Sequence, residues 1–387
     1  MLIELDTMNY RNRESYTTKP RVGIFSDSQW ISACLKFGLL ILCVIIVTLS
    51  LDWIVSSSST WKDTDLCSHC SIKALVENAT SQINKIGINT TCYMNDDPFS
   101  RHVLPDKHLR ERGCEKRLPV AVIIGSDHCR TDILSSYLRQ HPYIVFPKSY
   151  TMQYFDKFFH LTQKWYKNQM PYTLEQQLTM ETTSTYLAAA EVPSRMLQEL
   201  KYDVKLIVVV CDPVLRSLRE FTRQQDEETT WLQDTEAEKV SPLNETYLSS
   251  ISYSKGRFNT SNPLITNGAY IDLILNWMVH FPRKNFHIVN EDSLVFSPFR
   301  VLNKIENFLQ IPRYFRFEDF VFQNDIGRYC LTSGIQCELA DENNHLPLLA
   351  KDIRKRLLQH FEREALMLQN TFDVKLSWRK HTHNVLS

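Results

Sequence analysis

The chain has 387 residues, more than one ordinary domain needs and fewer than two full-sized domains with linkers, so one large domain with an appendage is expected. Apolar residues at 43% and charged residues at 23% exclude an intrinsically disordered chain. Lys plus Arg and Asp plus Glu both number 44, which excludes a basic nucleic-acid tail or an acidic solvating tail, so any site for a charged ligand has to be local.

Residues 1–36 are ordinary polar chain carrying Arg11, Arg13, Lys19, Arg21 and Lys36. From Phe37 to Leu51 the sequence FGLLILCVIIVTLSL has no charge, and Trp53, Ile54 and Val55 extend the apolar stretch to residue 55 past the single Asp52. That length is close to the roughly 20 residues that cross a bilayer. A cleavable signal peptide begins near the N-terminus, so residues 37–55 read as an uncleaved transmembrane signal-anchor. Only Lys62 and Lys73 follow it within a comparable distance, and the positive-inside rule places the N-terminal tail in the cytosol and the bulk of the chain in a lumen.

Other features agree with a lumenal bulk. Asn78, Asn89, Asn244 and Asn259 each begin an N-x-S/T glycosylation triplet beyond the span. Of ten cysteines, Cys34 and Cys43 lie in or beside the span, leaving eight for an oxidising compartment, where Cys330 and Cys337 read as a local disulfide. Cys67-Ser-His-Cys70 has metal-ligand spacing, but no second pair follows at zinc-site spacing, so no metal is expected.

Residues 56–117 open with SSSST and show little sustained periodicity, and they are read as a lumenal stem. From Leu118 the texture changes. Val120–Ile124 is a continuous apolar run of the kind buried on both faces of a parallel sheet, followed by Gly125 and a helical pattern through Leu138. Lys205–Val210 repeats the device before a helix containing Leu215, Leu218 and Phe221, and Phe286–Val289 forms a third such strand after an amphipathic segment with Tyr270, Leu273, Ile274 and Trp277. Residues 353–368 read as one late helix. Strands alternating with helices predict an α/β domain over 118–387 with a mostly parallel central sheet.

Ligands of such sheets bind beyond the carboxyl ends of the strands, which makes the turn from Gly125 to Asp132 the default site. A helix N-terminus there offers free N–H groups to a phosphate. The turn nevertheless has one glycine, no lysine and two aspartates.

The run LPVAVIIGSDHCRTDILSSYLRQHP resembles the opening of heparan sulfate glucosaminyl 3-O-sulfotransferases. The resemblance continues in order through WYKNQMP (165–171), METTSTYLAAAEVPSRM (180–196), VVVCDPVLRSLREF (208–221), NWMVHFPRKNFHIVNEDSL (276–294) and GRYCL (327–331). It implies a type II Golgi membrane protein with a P-loop-like sulfotransferase fold. It also implies transfer of sulfate from 3′-phosphoadenosine 5′-phosphosulfate to a glucosamine hydroxyl of heparan sulfate, without a redox cofactor.

The departures from the family pattern fall on its chemistry. Where the family loop reads Lys-Gly-Gly-Thr-Arg, this chain has His128, Cys129, Arg130, Thr131 and Asp132 after Gly125, retaining only the threonine. The general-base glutamate position is taken by Thr151 and the following histidine position by Gln153, while the lysine of Glu-Lys-Thr-Pro-Ala-Tyr falls on Thr182. Cys211 stands for the arginine of Arg-Asp-Pro, a 3′-phosphate ligand in the family, and Arg219 for a serine on the next helix. Tyr329 lies in the matched GRYCL stretch, and the cofactor-clasping Lys-Gly-Arg falls on Glu342, Asn343 and Asn344.

The donor carries roughly four negative charges, and each charge-assisted hydrogen bond to it contributes about 1.5–3 kcal/mol. Four lost contacts amount to on the order of 6–12 kcal/mol, comparable to the roughly 8.2 kcal/mol of a micromolar complex. The sequence therefore describes a degenerate sulfotransferase, weak or inactive, that acts by binding heparan sulfate or another Golgi enzyme. The alternative is an active sulfotransferase using the same donor through rewired contacts, with Arg130 and Arg219 as new cations and Glu181 or Asp156 as a recruited base. The plain reading of both arginines is solvated helix surface. From Leu118 onward 30 Lys and Arg face 31 Asp and Glu, so no overall basic field attracts a polyanion, and no nucleic acid is expected. A local groove built from Lys164, Lys167 and Lys201 or from the Arg354–Arg356 cluster stays open.

Overall fold

The computed structural model of the protein describes residues 91–95, 97, 99–231, 243–253, 257–324, 328–332, 349–376 and 378. The chain divides into two compact units, Met1–Ser81 and Gln82–Ser387, and every described residue belongs to the second. Among the described residues no helix is long and apolar enough to cross a membrane. The tail and apolar segment expected at 1–36 and 37–55 lie outside them, as do Asn78, Asn89, Cys337, Glu342, Asn343 and Asn344.

Five parallel strands form the central sheet: β1 (Ala121–Gly125), β2 (Ile144–Val145), β3 (Leu178–Thr182), β4 (Lys205–Val210) and β5 (Phe286–Asn290). Their order is β2-β3-β1-β4-β5. All five residues of β1 and five of six in β4 are buried, as expected for apolar strands covered on both faces. The chain builds outward from β1 to β2, returns through β3, and then crosses to β4 and β5 on the other side. The direction of the connections reverses between β1 and β4, and a crevice at such a switch point is where open α/β sheets take ligands.

Helix α1 (Thr131–Leu138) follows β1, and its residues are buried except Asp132. Helix α2 (Pro213–Trp231) follows β4, with proline at its first position and the Asp212 carboxylate accepting from the N–H groups of Val214 (2.9 Å) and Leu215 (3.4 Å). Helix α3 (Tyr270–Met278) buries Trp277, whose indole N–H donates to Leu187 O at 3.1 Å. Helices α4 (Glu291–Phe296) and α5 (Pro298–Leu309) follow β5. The late helix is two helices, α6 (Lys351–His360) and α7 (Glu362–Phe372), separated at Phe361. An antiparallel hairpin of β6 (Phe320–Gln323) and β7 (Arg328–Leu331) carries Tyr329 and Cys330.

The segment ending at residue 117 is docked rather than extended. Cys92 and Cys114 form a disulfide, and with Tyr93 and Leu109 they pack against Val145 and Leu174 in a small satellite core. Glu115 and Lys116 pair in antiparallel fashion with Thr173 and Tyr172. The disulfide closes this segment on itself, while the strand pairing and the contacts with Val145 and Leu174 join its described residues to the domain.

Candidate functional site

The loop leaving β1 is held tightly. A Cβ on Gly125 would lie 2.6 Å from the Cβ of Leu187 and 3.0 Å from Ser184 O, so only glycine fits this approach. Ser126 N–H donates to Val209 O at 2.8 Å, and His128 and Arg130 adopt left-handed φ values of 62° and 57°. These two turns swing the chain into α1 and bring Cys129 to the end of β4. There Cys129 is joined by a disulfide to Cys211, 82 residues away in sequence. The bond spans the switch point. Both sulfurs lie 3.4–3.5 Å from the Tyr270 hydroxyl, which donates to Cys211 O at 3.0 Å and whose own ionisation is pushed up by burial.

Beside the disulfide, one carboxylate gathers two guanidinium groups. Glu291, the first residue after β5, accepts from Arg130 Nε at 2.9 Å and from Arg219 Nη2 and Nη1 at 2.9 and 3.1 Å. The three side chains are 7%, 2% and 7% exposed for Arg130, Arg219 and Glu291. Arg219 Nη1 also donates to His128 O at 2.6 Å, so the same guanidinium pins the loop. The reading of Arg130 and Arg219 as solvated helix surface is corrected here: both are buried, because Glu291 supplies the counter-charge that burial of a guanidinium requires.

His128, at the family's lysine position, brings its Nε2 against the Glu220 carboxylate and 3.5 Å from that of Asp127. Hydrogen bonding from His128, together with Arg223 and Gln224, holds the Glu220 carboxyl down to about 2 against the opposing effect of its burial. Asp127 accepts from Ser184 Oγ at 2.7 Å and links the loop to the segment after β3. Thr131 is buried and Asp132 exposed at the start of α1.

The turn holding Thr151 and Gln153, matched to the family's acid–base positions, is fixed by the segment after β3. Thr183 Oγ1 accepts from the N–H groups of Met152 (3.2 Å) and Gln153 (3.3 Å) and lies 3.3 Å from Thr151 Oγ1. The Tyr186 hydroxyl accepts from Tyr154 and Phe155 N–H, and Asp156 accepts from Thr185 Oγ1 at 2.6 Å. The 151–156 turn thus hangs on 183–186. Gln153 has a left-handed φ of 49°. Glu181 is fully buried within β3, next to the buried Thr182, and burial pushes its carboxyl up to about 8 against the pull of the Tyr166 and Tyr186 hydroxyls.

The remaining positions sit further out. The Tyr329 carbonyl accepts from the Tyr137 hydroxyl at 2.9 Å, and Cys330 is disulfide-bonded. Asn244 lies in the helix Leu243–Ile251, and Asn259 accepts from Ser261 N–H at 3.0 Å. Lys164, Lys167 and Lys201 are exposed, whereas Arg354 pairs with Asp212 at the end of β4. Sequence reasoning did not single out Glu291 or Glu220, and it placed Tyr270 only on an amphipathic helix face. The one signal for Glu291 was its place directly behind the third apolar strand.

A parallel sheet whose strand order reverses between β1 and β4 defines an open α/β fold. In sequence the chain is similar to heparan sulfate glucosamine 3-O-sulfotransferases. It is 33% identical over 216 residues to heparan sulfate glucosamine 3-O-sulfotransferase 3A1 of Mus musculus, covering 56% of this chain and 52% of that protein. It is 30% identical over 251 residues to heparan sulfate glucosamine 3-O-sulfotransferase 3B1 of Homo sapiens, covering 64% and 61%. The chain thus spans about half to three-fifths of the length of these curated relatives. No protein-family model matches it. Among solved structures, a sulfotransferase from Alicyclobacillus acidocaldarius aligns with 68% of this chain and 99% of its own at 18% identity and a TM-score of 0.49.

Proposed function

We propose that this protein is a Golgi membrane relative of the heparan sulfate 3-O-sulfotransferases, of type II topology, whose donor site is closed and which acts by binding heparan sulfate or a Golgi enzyme. The observation that carries this reading is the Cys129–Cys211 disulfide across the switch point, flanked by two arginines already held by Glu291. Two disulfides joining described residues, Cys92–Cys114 and Cys129–Cys211, support an oxidising compartment.

The side chains here do not fit 3′-phosphoadenosine 5′-phosphosulfate. The family's 3′-phosphate arginine position is a disulfide sulfur, which offers neither charge nor donor. Binding through Arg130 and Arg219 has to take both away from Glu291, and removing one partner from a buried ion pair costs about 3–5 kcal/mol. That is roughly half of the 8.2 kcal/mol in a micromolar complex. Asp127 and Glu220 add negative charge beside the loop.

Calorimetric titration of the full-length chain with 3′-phosphoadenosine 5′-phosphate tests the proposal. No heat of binding is expected at micromolar ligand, and radiolabelled donor should leave heparan sulfate unlabelled. Micromolar binding, or labelled product, overturns the closed site and establishes the rewired, active enzyme instead.

A further inference from the structure

Among the described residues β5 is an edge strand of the central sheet, and a groove of about 540 Å³ is lined by all five of its residues. Arg283, Lys284, Lys304 and Lys375 line it against one carboxylate, Asp373, in a protein whose formal charges cancel overall. The cations are distributed along the strand. Arg283 and Lys284 precede its first residue, and Lys375 lies at its last, where Asn290 Nδ2 donates to Lys375 O at 2.9 Å. Five strand residues span about 16 Å at roughly 3.3 Å each. A single phosphate or sulfate would engage one end only, whereas a linear ligand with repeated anionic groups engages both.

Four aromatic rings line the groove, those of Phe286, His287, Phe308 and Phe372. His287 and Phe308 stack with ring centroids 5.2 Å apart and an interplanar angle of 27°, and Lys205 Nζ lies 5.1 Å from the Phe308 centroid. Burial, reinforced by Lys304, lowers His287 to about 4, so its ring is a neutral face at physiological pH. Flat apolar rings bracketed by cations complement a pyranose chain, whose C–H faces are apolar and whose sulfates project from the ring edges.

We infer that the β5-edge groove binds a linear sulfated polysaccharide through Arg283, Lys284, Lys304 and Lys375, at a place separate from the donor loop. The choice of sugar over another polyanion rests on the kinship with heparan sulfate enzymes; the groove and its charge do not.

Binding of the full-length chain to a heparin hexasaccharide by surface plasmon resonance, at two salt concentrations and without nucleotide, tests this. The exposed-lysine variant K284E/K304E/K375E should bind at least about tenfold more weakly and show a shallower salt dependence, following the loss of released counterions. Lys107→Glu with Lys148→Glu and Lys351→Glu, exposed positions outside this groove, should change affinity less than about threefold. A desulfated hexasaccharide should not bind. Unchanged affinity of the groove variant, or single-stranded DNA of equal charge binding as tightly as the hexasaccharide, overturns the inference. Because no nucleotide is present, failure here leaves the closed donor site standing, and nucleotide binding would leave the groove standing.

Discussion

Glu291 accepts three hydrogen bonds from Arg130 and Arg219, at 2.9, 2.9 and 3.1 Å, and thereby joins the end of β5 to the loop after β1 and to helix α2. A carboxylate in this position works as a structural counter-ion. It also occupies the positive groups that an anionic ligand at the switch point would need.

Replacing Glu291 with alanine removes the carboxylate that two buried guanidinium groups share. The expected loss is about 3–5 kcal/mol of folding stability, read as a lower urea midpoint with little change in slope. A loss below 1 kcal/mol would show that the arginines find other partners easily. Glu291→Gln keeps an acceptor and is the variant to titrate with nucleotide: if it binds where the parent does not, the carboxylate is what closes the site.

The Cys129–Cys211 bond closes a loop of 82 residues. Chain-entropy arguments assign such a crosslink about 4–5 kcal/mol as an upper value, and measured losses on removal run from about 2 to 5. The double variant Cys129→Ser and Cys211→Ser should therefore unfold at clearly lower denaturant. An unchanged midpoint argues that the bond does not form in the folded protein.

Glu181 carries its proton in the folded state up to about pH 8, whereas in the unfolded chain it loses it near 4.5. Between these values the native state binds the extra proton, so stability falls as pH rises, by up to about 1.4 kcal/mol per unit. Below about 4.5 and above about 8 this group adds no slope. Urea melts at pH 5 and pH 8 should diverge for the parent and converge for Glu181→Gln. Equal pH dependence in both proteins removes Glu181 as the source.

Gly125→Ala places a methyl group 2.6 Å from the Leu187 Cβ and 3.0 Å from a backbone oxygen. Backbone has to move to admit it, at a cost of about 1–3 kcal/mol. Thermal melts of the variant measure this, and a shift within error of zero contradicts the tight approach of the two loops.

Strands β1 and β4 were legible as continuous apolar runs because parallel strands covered on both faces have no polar side to show, and β5 was legible from Phe286, Ile288 and Val289. β2 has two residues and β3 reads LTMET with a buried Glu181, so neither carries that signal. The late helix read as one because its apolar periodicity continues across Phe361, which is buried against the core at the junction of α6 and α7.

What the sequence determined alone was the alternation of strands and helices, the position of the turn after β1 at Gly125, and the exchange of the family pattern's cationic residues for His128, Asp132 and Cys211. Tertiary structure decided what the replacements do. Cys129 meets Cys211 across 82 positions, and Glu291 meets Arg219 across 72 and Arg130 across 161. Contacts at such separations follow from the order in which strands lie side by side in the sheet, which no local pattern of residues records.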